Sequence, residues 1–243
     1  EYINKIKSKL NLEKEEAFGV MQKILENASD LDIYDFLLGM NKKGITIDEL
    51  AGFAQGMKEK AALIYPKVDL LVDTCGTGGD KKNTINVSTG AAIIAASAGI
   101  PVAKHGNCSV TSKCGSAEVL EALGYNINMK PEDCEKMIEE NGFGFLFAPN
   151  FHPAMKRVAP IRKKIKEEYN QGTIFNLLGP LSNPANPTAQ LIGVYDEKLC
   201  EKFAYVLKEL KIERALVVYG NGLDEISNIS DTKVYELNNN KIT

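Results

Sequence analysis

The sequence predicts an α/β fold: a mainly parallel sheet domain flanked by helices, with a smaller all-helical N-terminal domain. Three observations carry this. Residues 1–66 show helix spacing and helix boundary signals with no strand-like run. After Pro66, short apolar runs alternate with amphipathic stretches, the order in which a parallel sheet is built with helices on its faces. Between the first such strand and the helix after it lies "TCGTGGDKKNTINVST", a glycine- and hydroxyl-rich link.

The opening domain is expected to hold one helix starting after Asn11, a second after Ser29 and a third after Thr46. In "TIDE" (46–49), Thr46 and Glu49 can each satisfy a backbone amide at the other's end, a capping box. Gly44 is the stop signal before it. In the second region, strands are expected at "VDLLVD" (68–73), "PVAKHG" (101–106), "FGFLFA" (143–148), "AQLIGVY" (189–195) and "RALVVYG" (214–220). Helices are expected over 88–98, 116–123, "PEDCEKMIEE" (131–140) and 196–210, with Gly124 as an end signal and Pro131 in a first turn. The tail "KVYELNNNKIT" reads as a strand entering a turn whose return strand has barely begun, which predicts a chain cut short at its C-terminus.

Composition narrows the function. The formal charge is −3 over 243 residues with both signs interspersed, a poor match to nucleic acid as the main partner. No run approaches the length of a membrane span, and no basic-then-apolar leader is recognisable. Cys75, Cys108, Cys114, Cys134 and Cys200 are odd in number and form no zinc spacing; they read as reduced thiols of a cytoplasmic protein. With only two histidines, a transition-metal site is not expected.

The glycine link is the first chemical signal. In an open parallel sheet, ligands sit beyond the carboxyl ends of strands. There Gly76, Gly78 and Gly79 leave amides unshielded and tolerate positive φ, so that N–H groups can converge on phosphate oxygens. A helix starting near Ser88 aims further amides at the same region. The spacing is neither that of a P-loop nor that of a dinucleotide fingerprint. Acidic residues beside an anion call for a shared divalent cation; magnesium, with carboxylates, waters and phosphate oxygens, fits, and the Ser88 hydroxyl is placed to join its shell. The second signal is "KHGNCSVTSKCGSAE" (104–118), in which Lys104 supplies a point charge, Gly106 and Asn107 a flexible turn, and Ser109, Thr111, Ser112 and Ser116 short donors. That composition suits a phosphorylated sugar.

These two segments, together with "FHPAMKRVAPIR" (151–162), "TIFNLLGPLSNP" (173–184) and "GNGLDE" (220–225), resemble the anthranilate phosphoribosyltransferase family over essentially the whole chain. The resemblance implies a helical domain made of residues 1–66 plus a discontinuous insertion at about 153–182. It implies a phosphoribosyl-binding α/β domain made of 67–152 and 183–243. Two chain crossings between them imply a hinge. It implies that Gly76, Gly79, Asp80, Thr84, Asn86, Val87, Ser88 and Thr89 hold the pyrophosphate and ribose of phosphoribosyl pyrophosphate. Lys104, Gly106, Asn107, Ser109, Thr111, Ser112 and Ser116 would hold its remaining groups. Ser88, Asp224 and Glu225 would ligate magnesium, as two ions. Arg162 would seat the anthranilate carboxylate, with Gly76, His105, Asn107 and His152 lining the path of the amine. A homodimer through the helical layer is implied as well. Two departures stand out: Cys108 follows "KHGN", where a larger, often basic residue is usual, and Gly172 stands where an arginine is common. Altered affinity is expected from both.

The expected chemistry needs no acid–base residue and no covalent intermediate. An aromatic amine is already neutral at pH 7, and the difficulty is departure of pyrophosphate while positive charge builds on the ribose. Loop amides and magnesium answer that difficulty by stabilising the leaving group, and in-line placement supplies much of the rest. Displacement at C1 with inversion follows. Two other readings of the same residues are a pyrimidine nucleoside phosphorylase, which attacks the sugar with phosphate, and a catalytically idle phosphoribosyl-binding or regulatory protein.

Overall fold

The structure, a computed structural model, describes residues 2–80, 82, 84–108 and 114–243. Along the chain come helices α1 (Tyr2–Lys7), α2 (Lys14–Glu26), α3 (Asp30–Lys43) and α4 (Ile47–Glu59), then strand β1 (Val72–Gly76). Next are α5 (Val87–Ser97), β2 (Val102–Gly106), α6 (Ser116–Ala122), α7 (Pro131–Asn141), β3 (Phe143–Phe147) and the short α8 (Ala148–Phe151). There follow α9 (Met155–Tyr169), the short α10 (Phe175–Leu178) and a single 3-10 turn at Gly179–Leu181. The chain closes with β4 (Ala189–Gly193), α11 (Lys198–Glu209), β5 (Arg214–Tyr219), β6 (Lys233–Asn238) and β7 (Lys241–Ile242).

Two compact units result: Glu1–Ala61 with His152–Ser182, and Ala62–Phe151 with Asn183–Thr243. In the helical unit, α2 buries Ala17, Val20, Met21, Ile24 and Leu25, one apolar stripe at helical spacing. The Phe36 ring of α3 meets the Phe53 ring of α4 edge-on at 5.4 Å. The expected capping box at Thr46 and Glu49 is present. α1 lies outside the expected helices; at six residues it is too short for periodicity to reveal. α9 carries Pro160 in its interior and ends at Asn170 in the left-handed region, φ 51°.

The second unit is a 7-stranded sheet in the order β3-β2-β1-β4-β5-β6-β7. β1 to β5 run parallel; β6 and β7 are antiparallel additions. One face of its β3–β2 end packs Ala103, Leu146, Cys134 and Ile138 into a core with Leu71 and Phe151. Phe145 on the other face packs with Ala117, Leu120 and Ile127. β1 begins at Val72, later than "VDLLVD" predicts. Its ladder with β4 pairs Val72 through Gly76 with Ala189 through Gly193, so the strand runs into the glycine link instead of ending before it. Apolarity marks where a strand is covered, whereas its extent is set by the partner's register. The chain leaves β1 toward β2 on one side while β4 lies on the other. The order therefore reverses at the β1–β4 boundary, the place where open parallel sheets bind ligands.

Candidate active site

The site of the sheet unit is built on the carboxyl ends of β1, β2 and β4. Gly76 pairs with Gly193 across the reversal point, and the 220–225 turn lies directly against both. A Cβ on Gly193 would sit 1.6 Å from the Asp224 carbonyl oxygen, and one on Gly76 would sit 2.7 Å from Asp224 Oδ2. Gly220 has the same relation to the Glu225 carbonyl, at 2.5 Å. Only strand ends without side chains let this acidic turn approach so closely.

The link after β1 is tied to that turn. Gly78 and Gly79 take left-handed conformations, φ 62° and 93°. The Gly78 N–H donates to Asp224 Oδ2 at 2.8 Å. Thr77 N–H donates to the Gly193 carbonyl at 2.9 Å, and Tyr195 N–H donates to the Thr77 hydroxyl at 3.1 Å. Asp80 Oδ1 accepts from the Lys82 N–H, while Asp80 Oδ2 is buried with no hydrogen-bond partner among the described residues.

α5 is fixed from below. The Thr74 hydroxyl of β1 donates to the Ser88 carbonyl at 2.8 Å. Lys104, only 2% exposed, donates from Nζ to the Thr74 carbonyl at 2.6 Å and to the Ser88 hydroxyl at 3.3 Å. It is a buried cation directed at the Ser88 side chain, not a solvated surface lysine. Thr89 is buried, Asn86 precedes the first turn, and Thr84 and Val87 are exposed. Asn86 Nδ2 also reaches the Cys114 carbonyl at 3.4 Å, connecting the two loops.

The second loop starts where β2 ends at Gly106. Its Asn107 carbonyl accepts from the Ser116 hydroxyl at 3.2 Å and from the Ala117 N–H at 3.3 Å, tying the residue after β2 to the start of α6. Asn107 Oδ1 accepts from the Cys108 N–H at 2.7 Å. Ser109, Thr111 and Ser112 lie outside the described residues. His105 is paired in register with Leu146, so its side chain leaves the opposite face of the sheet from that of Lys104.

The electrostatics are those of crowded carboxyls, with the Lys104 cation beside Glu225. Burial pushes the Glu225 carboxyl up to about 7, with the Asp224 charge adding to it; Lys104 and the Ser88 N–H pull the other way. Asp224 is raised as well, first by burial and then by Asp80, while the Gly78 N–H opposes. Burial lowers Lys104, which Asp73 partly offsets. The Asp80, Asp224 and Glu225 carboxyls and the Ser88 hydroxyl offer only oxygen donors. A hard dication fits them better than zinc does. Among the described residues no three His, Cys, Asp or Glu side chains converge to hold a metal by themselves. Magnesium, which uses one or two carboxylates and completes its shell with water and phosphate oxygens, needs no such cluster.

Arg162 and His152 belong to the helical unit. Arg162 projects from α9 with its guanidinium carbon 5.3 Å from the centroid of the Phe175 ring, and His152 is buried just before that helix. Sequence reasoning missed Gly193, Gly220, Thr74, Thr77 and Phe175. The glycines at the ends of "AQLIG" and "RALVVYG" were the available signal, since an apolar strand closing on glycine marks a close backbone approach.

Two family models match the chain: the "Glycosyl transferase family, helical bundle domain" over residues 1–61 and the "Glycosyl transferase family, a/b domain" over residues 68–243. The anthranilate phosphoribosyltransferase of Methanosarcina mazei is 52% identical over 244 residues, covering 100% of this chain and 65% of that protein. The crystal structure of anthranilate phosphoribosyltransferase from Thermus thermophilus superposes with a TM-score of 0.91 at 41% identity, covering 97% of this chain and 70% of that one. The Saccharomyces cerevisiae anthranilate phosphoribosyltransferase was solved in complex with PRPP and Mg (TM-score 0.85, 29% identity, 97% and 71% covered). It was also solved with 4-fluoroanthranilate (TM-score 0.84, 27% identity, 100% and 70% covered). The chain thus spans about 65% of the length of the Methanosarcina relatives it matches. Among the described residues, no helix is long and apolar enough to cross a membrane.

Proposed function

The chain belongs to the anthranilate phosphoribosyltransferase family, and from that premise we propose that it transfers the phosphoribosyl group of phosphoribosyl pyrophosphate to the amine of anthranilate. The products are N-(5-phosphoribosyl)anthranilate and pyrophosphate, a step of tryptophan biosynthesis. The observation that carries the reading is the glycine-walled seat at Gly76 and Gly193. It brings the Asp224–Glu225 turn against the link amides, with Ser88 and Lys104 alongside. The S. cerevisiae relative solved with PRPP and Mg supports the donor, and its complex with 4-fluoroanthranilate supports the acceptor.

In this reading Gly76, Gly79 and the first turn of α5 hold pyrophosphate oxygens, the Thr77 and Gly78 N–H groups being taken by Gly193 and Asp224. Asp80, Thr84, Asn86, Val87, Ser88 and Thr89 complete that wall. Lys104, with the loop from Gly106 through Ser116, holds the phosphoribosyl group. Ser88, Asp224 and Glu225 hold the magnesium sites, which we assign as two. Magnesium, when bound, supplies Lewis-acid withdrawal of charge from the departing pyrophosphate. Arg162 orients the acceptor by its carboxylate, with Gly76, His105, Asn107 and His152 along the amine's path. The amine then displaces pyrophosphate at C1 with inversion as the C1–O bond breaks, the extra amine proton passes to solvent, and the preorganised amides stabilise the charge leaving. The homodimer through the helical layer and the cytoplasmic setting are assigned on family likeness.

The test is loss of anthranilate fluorescence on mixing the protein with phosphoribosyl pyrophosphate and magnesium. Turnover is expected, and Arg162→Ala is expected to lower kcat/KM for anthranilate roughly ten- to a hundredfold, the worth of a charge-assisted hydrogen bond to a carboxylate. Turnover by Arg162→Ala equal to that of the unmodified protein would remove the carboxylate assignment. Absence of turnover by the unmodified protein would favour an idle binding protein.

A further inference from the structure

We propose that Phe175 is a positioning residue for the aromatic-acid subsite: its ring backs the Arg162 guanidinium and fixes the plane in which that cation meets a carboxylate. The inference rests on the transferase reading above and concerns only the helical unit.

The Arg162 guanidinium carbon stands 5.3 Å from the Phe175 ring centroid, within cation–π range. Phe175 is 4% exposed, so its ring cannot swing away. Among the described residues no carboxylate pairs with Arg162, and burial pulls its guanidinium below the ordinary arginine range. A partly desolvated cation set over a ring, with no acid paired to it among the described residues, is held for an incoming anion. Stacking occupies the face and leaves the in-plane N–H groups for bidentate recognition.

Both partners are anchored. Asn41 Nδ2 donates to the Gly172 carbonyl at 2.8 Å, and the Thr173 N–H donates to Asn176 Oδ1 at 3.1 Å, setting the turn from which α10 starts at Phe175. On the other side, Arg157 Nε donates to the Ala28 carbonyl at 3.1 Å and pins the first half of α9, which carries Arg162. The ring and the guanidinium therefore meet because two elements are each tied down, not because one flexible side chain found an apolar surface.

The experiment measures anthranilate binding by its own fluorescence, beside steady-state kinetics, for the unmodified chain, Phe175→Leu and Phe175→Tyr. Leucine keeps apolar volume without a π face; tyrosine keeps the face. Expected for Phe175→Leu is a roughly five- to thirtyfold weaker anthranilate affinity, with the KM for phosphoribosyl pyrophosphate little changed and a modest fall in Tm from the smaller buried side chain. Phe175→Tyr is expected within about twofold of the unmodified chain, since the π face persists. On an Arg162→Ala background, Phe175→Leu is expected to add nothing. Unchanged anthranilate affinity in Phe175→Leu overturns the proposal. So does a loss shared equally by both substrates and not restored by tyrosine, which marks a packing residue. Anthranilate binding that depends on Phe175 without any turnover would sink the transferase reading while leaving this inference standing. If the unmodified chain does not bind anthranilate, both fall.

Discussion

Replacing Gly193 by alanine is expected to lower kcat/KM for the phosphoribosyl donor about a hundredfold, the usual cost of displacing a reacting constellation by roughly 1 Å. The added methyl would lie 1.6 Å from the Asp224 carbonyl oxygen, and the obstacle is backbone, not the end of a pliable side chain. Either the 220–225 turn withdraws or β4 slides. β4 is held in register on both sides, by β1 and by β5, so the turn is the part that gives. Withdrawal breaks the Gly78 N–H bond to Asp224 and releases the Gly78–Gly79 conformation that depends on it. The stability cost is smaller, about 1–3 kcal/mol for overpacking. Gly19→Ala, with nothing within 4 Å of the new Cβ, is the matched control and is expected to leave activity unchanged. Gly193→Ala with native activity and native Tm would mean that the glycine seat is not what places the acidic turn.

Glu49→Ala is expected to destabilise the helical unit by about 3–5 kcal/mol, as removal of one member of a buried ion pair does. Glu49 is fully buried, and its two oxygens serve three donors: Leu12 N–H at 2.9 Å, Lys43 Nζ at 2.8 Å and Thr46 N–H at 3.0 Å. Alanine leaves two amides unsatisfied and strands the Lys43 ammonium, itself only 3% exposed, with the Asn11 side-chain oxygen alone. An ordinary surface capping box is worth about 1 kcal/mol, so the size of the effect separates a buried clamp from a cap. Urea unfolding followed by circular dichroism reads it out. A loss near 1 kcal/mol would reduce Glu49 to its capping role.

That residue also shows what is legible in the sequence. The pairing of Thr46 with Glu49 spans three positions and obeys a local rule, so it can be read directly. That the same carboxylate clamps Leu12, thirty-seven residues away, depends on how helices pack, which no local rule encodes. The glycine link is similar. Its composition identifies an anion site at the end of a strand, because amide exposure and positive φ are properties of the glycines themselves. What it rests on is invisible in the sequence, since Gly78 and Asp224 lie 146 positions apart and meet only through the register of β1 with β4. The late start of β1 has the same origin. Family resemblance alone locates "GNGLDE", because an acid pair in a loop is ordinarily a solvated turn. Lys104 reads from the sequence as a point charge, and its burial under α5 follows from strand alternation once β2 is placed between β1 and β3. Phe175 is, in the sequence, one apolar residue among several in "TIFNLL"; its contact with Arg162 is tertiary.

The central claim is that a glycine-lined seat and a shared dication together hold the diphosphate end of the donor. Calorimetric titration of phosphoribosyl pyrophosphate into the protein, with and without magnesium, measures it most directly. The account predicts binding that strengthens at least about tenfold when magnesium is present, about 1.4 kcal/mol, and loses that gain in Asp224→Ala. Equal affinity with and without the ion, or a magnesium gain that survives Asp224→Ala, would contradict it.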